Sequence, residues 1–325
     1  MVDNVNYVRN TEYKSDIEQG ATWAGTQLWP SAYYRYNKAL SFRAGLFIQK
    51  DFGTTTFRNL IPTYTLTYST KNLKINFGTL DGSLDHKLIE PLYATENFID
   101  KRIENGLQMK GKYKRLTFDQ WIDWEKMIYR TSTTQEKFTV GFSGNIKCID
   151  LKNFKLKIPI QVVGRHVGGE IYAQPHPVIK TQFNFAYGLH LTQKMPHNFI
   201  DKIDFQGFVT FYEDLITAKS DSFIDGTGQY IALSFHHKYV GLMFNYWDAH
   251  QFISPLGEPL YQSKSREYPG DYRQYRKMLM ARLLVERRIW EHATFVGRLN
   301  IIYDLSEKQL NNIAEVYFKF NIGNK

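Results

Sequence analysis

Residues 275–303 read YRKMLMARLLVERRIWEHATFVGRLNIIY, and the alternation in this stretch decides the fold. Leu279, Ala281, Leu283, Val285 and Ile289, then Phe295, Gly297, Leu299, Ile301 and Tyr303, form one apolar face. The other face carries Arg276, Met278, Met280, Arg282, Glu286 and Arg288, then Thr294, Val296, Arg298 and Asn300. A repeat of two is the period of a β-strand. The tie between the strands is only Glu291-His292, and charge stands at mid-strand rather than at the ends. Such a pair fits a wall with lipid on its apolar face and water on the other.

The same design recurs along the chain. Over 40–51, Leu40, Phe42, Ala44, Leu46 and Ile48 oppose Ser41, Arg43, Gln49 and Asp51. The pair 102–113 and 115–126 carries Arg102, Glu104, Gln108, Lys110, Asp119, Asp123 and Glu125 on its polar face. Over 154–164, Phe154, Leu156, Ile158, Ile160 and Val162 alternate with Lys155, Lys157 and Gln161, with Pro159 on the polar side, an awkward residue inside a sheet. Phe183, Phe185, Tyr187, Leu189 and Leu191 oppose Gln182, Asn184 and His190. Short ties at 37–38, 71–72, 238–239 and 291–292 alternate with long polar links at 80–101, 165–178, 214–226 and 249–274. That alternation predicts an all-β, antiparallel transmembrane β-barrel of about sixteen strands, or fourteen if the weak first strand at 6–13 is discounted. Short periplasmic turns, long extracellular loops and periplasmic termini follow from it.

Composition agrees. Residues 1–325 read as one barrel domain with no linker-like shift, and 43% hydrophobic residues, 16% of the chain aromatic, coexist with a mean hydropathy of -0.43. No stretch approaches the roughly 20 apolar residues of a spanning helix. On the apolar faces the exceptions Lys126, His237, Lys277 and Arg287 fall at strand ends, where a charge facing lipid costs little. A soluble β-sandwich, the alternative, would have to bury the charged faces or wet the apolar ones. The net charge of +9 is spread through alternating strands, which argues for a lined interior and against nucleic acid. Cys148 is the single cysteine, so no intramolecular disulfide forms. Met1-Val2-Asp3-Asn4-Val5 lacks a basic start and an apolar run, so the expectation is a mature segment from which a secretory signal was removed.

Phe77-Gly78-Thr79-Leu80-Asp81-Gly82-Ser83-Leu84-Asp85-His86-Lys87-Leu88-Ile89-Glu90-Pro91-Leu92, with Glu104-Asn105-Gly106-Leu107-Gln108 and Lys50-Asp51-Phe52-Gly53, resembles uncharacterised porin-like outer-membrane barrels of Bacteroidota. The resemblance is specific in the first third of the chain. It implies a porin-like barrel in the outer membrane of a Gram-negative bacterium and carries no catalytic residues. One departure concerns the last strand, where Phe318 and Phe320 are followed by Asn321-Ile322-Gly323-Asn324-Lys325 instead of ending the chain.

The 80–101 link has an apolar stripe in His86-Lys87-Leu88-Ile89 and Leu92-Tyr93 and must pack on something. The expectation is an inward-folded constriction loop that brings Asp81, Asp85, Glu90 and Glu96, beside His86, across from the inward bases Arg43, Lys155, Lys157, Arg282 and Arg298. Opposed rows of charge order polar solutes in a narrow passage. The alternative is a lid over the barrel mouth. Arg276, Arg282, Arg288 and Arg298 either select anions or pair internally with Glu286 and Glu315. A barrel lipid hydrolase needs a Ser activated by a nearby His, two apart along a strand, and no His here is followed two residues later by Ser. His190 and His292 are followed at that distance by Thr192 and Thr294, weaker nucleophiles, and the adjacent Asp85-His86 resembles barrel proteases only faintly. His166, Glu170 and His176 suit exposed loop residues better than a metal site, and Gly168-Gly169 is no phosphate loop because no helix follows.

The function expected from sequence is therefore non-enzymatic: passive, porin-like passage of small hydrophilic solutes, with inward bases favouring anions. No cofactor or metal is called for; outer-membrane lipid and the solutes are the partners. The alternative is an accessory barrel in a larger outer-membrane assembly, with Tyr261, Tyr268, Tyr272 and Arg266 of the 249–274 link meeting protein partners.

Overall fold

The computed structural model describes residues 1–130, 132, 134–169, 179–196, 198–216 and 221–323. Sixteen strands form a closed antiparallel barrel in which each pairs with its neighbours in sequence. They are β1 (Val2–Glu12), β2 (Thr22–Arg35), β3 (Leu40–Asp51), β4 (Asn59–Ser69), β5 (Leu73–Thr79), β6 (Asn105–Lys112), β7 (Leu116–Lys126) and β8 (Glu136–Asp150). The second half holds β9 (Phe154–Gly168), β10 (Lys180–Lys194), β11 (Lys202–Asp214), β12 (Asp225–His237), β13 (Val240–His250), β14 (Tyr275–Trp290), β15 (Ala293–Asp304) and β16 (Gln309–Ile322). β1 closes the ring on β16 from Val2↔Ile322 to Glu12↔Asn312. The weak first strand is thus fully paired, and the count is sixteen rather than fourteen.

The two faces separate as the alternation requires. Leu279 and Leu283 point outward, 49% and 44% exposed, while Arg276, on the opposite phase of the same strand, is fully buried inside. The wall pays for its prolines locally. β2 and β3 pair from Gly25↔Asp51 to Leu28↔Ile48 and resume at Ser31↔Gly45, skipping Pro30. β9 and β10 break between Ile160 and Lys157, around Pro159, because proline has no N–H to give the ladder.

β5 and β6 are short, with 7 and 8 residues against 11 in each of β4 and β7. β4 meets β5 only over Thr65–Ser69, so its outer half pairs with β3 alone, and Pro62 lies in that half. Proline tolerates an unpaired edge. At this low point in the wall the connection between β5 and β6 turns into the barrel.

Candidate functional site

Two outer connections meet inside the barrel: L3 (residues 80–104), which includes α1 (Asn97–Asp100), and L7 (residues 251–274). Leu92, Ile99, Phe252 and Leu260 are fully buried there, and the core of these loops packs on Trp247, Met278, Met280 and Ile302 of the wall. The loops are joined backbone to backbone: Ala94 N donates to Leu256 O at 2.7 Å and Glu258 N to Glu90 O at 2.9 Å. A Cβ on Gly257 would lie 2.0 Å from Pro91 O, so this crossing requires glycine.

Each loop is also moored to lumen-facing side chains. Gln27 and Gln49 both donate to Ile99 O, at 3.1 and 3.2 Å, and Gln161 accepts from Ile89 N at 2.9 Å. L7 is held by Asn184 to Ile253 O at 2.7 Å, Trp247 Nε1 to Tyr261 O at 3.1 Å and Arg276 to Leu260 O at 2.9 Å. These buried carbonyls could not face a barrel interior without such donors.

Charge completes the mooring. His86 of L3 lies between Asp119 Oδ2 at 2.9 Å and Glu104 Oε2 at 2.6 Å, stacked 3.5 Å from the Trp121 ring. Burial alone would lower its pKa, but hydrogen bonds to the two carboxylates outweigh that and raise it to about 9. Arg9 of β1 binds three acids at once: Glu258 of L7 at 3.3 Å, Glu96 of L3 at 3.5 Å, and Glu315 of β16. Glu96 is shared with Arg266 at 3.4 Å and Glu315 with Arg298 at 2.8 Å, whereas Arg9 is the cation paired to Glu258. Burial, offset by Arg9 and reinforced by Glu96, Glu90 and Glu315, pushes the Glu258 carboxyl up to about 7.

Polar space is left on the β1–β5 flank. One lobe of about 220 Å³ is lined by Asp3, Trp29, Arg43, Asp81, Asp85 and Arg102. A second, of about 270 Å³, shares Trp29, Arg43 and Asp81 and continues past Ser41, Thr65 and Lys74. Asp81 binds Lys74 at 2.7 Å and Lys110 at 3.0 Å; burial would raise its pKa, but these two amines hold it below the usual carboxylate range. Arg102 binds Asp3 at 2.6 Å, and Arg43 lies 4.3 Å over the Trp29 ring with its Nε on Ser31.

The residues singled out from sequence are thus divided. Of the L3 acids, Glu90 meets Arg282, Asp81 and Asp85 share the chamber with Arg43, and Glu96 goes to Arg9 and Arg266. Lys155 instead pairs with Asp150 at 2.9 Å, Lys157 stands near Lys147, Lys155 and Lys87 of L3, and among the described residues neither pairs with an acid of L3. Arg276 is sealed against Asp304 at 2.7 Å and Glu307 at 3.2 Å, and Arg288 turns to backbone carbonyls at the barrel end. Tyr261, expected on a partner surface, is buried under Trp247, while Tyr268 is exposed. Arg9, Glu258, Trp29 and Trp121 were not legible as site residues; Arg102, Glu104 and Asp119 carried the signal of the polar strand face.

His86 and His190 are each held by carboxylates rather than poised to activate a hydroxyl. Both ring nitrogens of His86 are taken by carboxylates. Thr192 donates to Asp204 Oδ1 at 2.7 Å, and His190, His236 and Lys202 converge on the same carboxylate, a hub rather than an activated hydroxyl. On the outward face near the extracellular rim, His166 Nδ1 lies 2.8 Å from Thr181 Oγ1 and its ring stacks on Phe138. Glu170 and His176 lie outside the described residues.

A closed sixteen-strand ring, apolar outside and charged within, defines a Gram-negative outer-membrane β-barrel. The chain belongs to the Lipid A 3'-O-deacylase-type family, which it matches over residues 1–323. No curated protein matches it in sequence. Among solved structures it is similar to OccK10 (OpdN) of Pseudomonas aeruginosa, with a TM-score of 0.57 at 9% identity over 100% of this chain and 99% of that one. OprD of Pseudomonas aeruginosa gives 0.54 at 10% identity, covering 98% and 94% of the two chains. A loop L8 deletion mutant of OmpT, an outer membrane protein of Vibrio cholerae, gives 0.54 at 10% identity over 98% of each. At these identities the likeness is one of fold.

Proposed function

We propose that the protein is a restricted outer-membrane channel for small hydrophilic solutes, with L3 and L7 as the constriction and the chamber beside Arg43 as its wet path. The observation that carries this reading is the polar chamber, lined by opposed charges, left on one flank of a loop-filled interior. Arg276, Arg282 and Arg298 are each bound to a carboxylate, so the wall contributes little net positive field and the preference for anions is weak. Single-channel recording in a planar bilayer under a salt gradient tests it. Small ohmic steps with weak ion selectivity are expected; correctly folded protein that inserts without conducting refutes the channel.

A second reading is favoured by the family and by the His166–Thr181 contact on the lipid side. In it, His166 would take the Thr181 proton as the hydroxyl attacks the acyl carbon of an outer-leaflet lipid ester; the acyl C–O bond breaks, His166 returns the proton to the departing lipid alkoxide, and water then hydrolyses the acyl-threonine to a free fatty acid. Mass spectrometry of lipid A from cells expressing the wild type and Thr181→Ala decides it. Loss of an acyl chain with the wild type but not the variant would establish hydrolysis, and unchanged lipid A in both would remove it.

A further inference from the structure

The side-chain charges that line the two lobes of the chamber balance: Arg43, Arg102 and Lys74 against Asp3, Asp81 and Asp85. Most are already spent on each other, Arg102 on Asp3 and Lys74 on Asp81. Two are left. Among the described residues Arg43 has no carboxylate partner; its guanidinium lies 4.3 Å over the Trp29 ring, and its Nε donates to Ser31 Oγ at 2.9 Å. Among the described residues Asp85 has no cation partner, and it is exposed and lines the chamber although it belongs to a loop inside the barrel.

We propose that this chamber is a binding site for a zwitterionic solute, a molecule of the amino-acid or short-peptide class. Its carboxylate takes the free edge of Arg43 and its ammonium takes Asp85. The inference rests on the channel reading and deepens it by naming the class of solute. A planar guanidinium fixed on an aromatic face is pre-organised to hold a carboxylate by two parallel hydrogen bonds. A simple anion would find one cation and meet the field of Asp85 and Asp81. A simple cation would find Asp85 and meet Arg43. Only a solute with both charges satisfies both groups without leaving either unpaired, and such pairing discriminates strongly in a partly dry site. Leu80 and Phe98 complete the lining, which gives a modest apolar side chain a place to rest.

The test separates binding from conduction. Purified barrel in detergent micelles is titrated with L-leucine, with 4-methylpentanoate, which lacks the ammonium, and with 3-methylbutylamine, which lacks the carboxylate. Saturation-transfer NMR reads the binding. Leucine is expected to bind at least tenfold more tightly than either analogue, and Arg43→Gln and Asp85→Asn are each expected to lose that margin. Asp85 is exposed on a loop, so Asp85→Asn keeps the test valid if Arg43→Gln fails to fold; heat-modifiable mobility in gels checks both. Equal binding of all three probes, binding of one analogue as tightly as leucine, or no binding overturns the inference. Conductance without leucine binding leaves the channel and removes the site; leucine binding without conductance leaves the site and removes the channel.

Discussion

Replacing Arg9 with methionine tests whether one wall residue holds both inner loops. At 3.3 and 3.5 Å from Glu258 and Glu96, and at an effective dielectric constant of about 20, each contact is worth about 5 kcal/mol of gross attraction. Desolvation cancels much of that. In Arg9→Met, Glu96 keeps Arg266 and Glu315 keeps Arg298, but Glu258 loses its cation while buried. Stranding one member of a buried pair costs roughly 3–5 kcal/mol, and that cost falls on the seat of L7. A loss of about 3 kcal/mol raises the population of the released loop by roughly a hundredfold. Lys264, Arg266 and Arg273 make L7 cleavable by trypsin once released, and cleavage follows the open population when reclosing is fast. At pH 8, tryptic nicking within 251–274 should therefore accelerate by about two orders of magnitude, and single-channel traces should become larger and noisier. Arg9→Met/Glu258→Gln should restore most of the protection, since the stranded charge is gone. Unaltered cleavage and conductance in Arg9→Met at pH 8, with no rescue by the second change, would refute the reasoning.

The elevated Glu258 carboxyl has its own signature: a raised pKa means the seated loop favours the neutral acid, so that stabilisation is complete below the ordinary carboxylate range and is lost as pH rises through about 7. L7-dependent current noise should grow between pH 6 and 8 in the wild type and not in Glu258→Gln; a flat wild-type profile contradicts this. His86 behaves the same way for L3, since its imidazolium is favoured in place: the contribution is full below its ordinary value near 6.5 and is lost as pH climbs through about 9. His86→Gln should release L3 at all pH values, and hydrogen exchange in 80–104 that is identical to wild type at pH 7 would count against it. Deleting 82–97 should enlarge the conductance, and unchanged conductance would mean that L3 does not narrow the path. Gly257→Ala places a Cβ 2.0 Å from Pro91 O and should cost roughly 1–3 kcal/mol of L7 seating, read as faster tryptic nicking in the same loop.

What was legible from sequence is what depends on near neighbours. The period of two assigned a face to Leu279 and Arg282 alike, because adjacent side chains on a strand must point opposite ways. Alternating short and long connections carried the strand count and the orientation for the same local reason. The L3 acids Asp81, Asp85, Glu90 and Glu96 stood out through the apolar stripe beside them, and Glu90 does meet Arg282. Beyond that reach the tertiary structure decided. L7 carries Phe252, Ile253, Leu256 and Leu260 among Pro255, Gly257 and Pro259, which break any helix, so nothing local indicates that it turns inward beside L3. Arg9 gathers acids from positions 96, 258 and 315, and Arg43 is left free while Arg276, Arg282 and Arg298 are not. Which charge meets which is set by ring closure of β1 on β16 and by the descent of two loops into one lumen, contacts across the whole chain that no spacing in the sequence encodes.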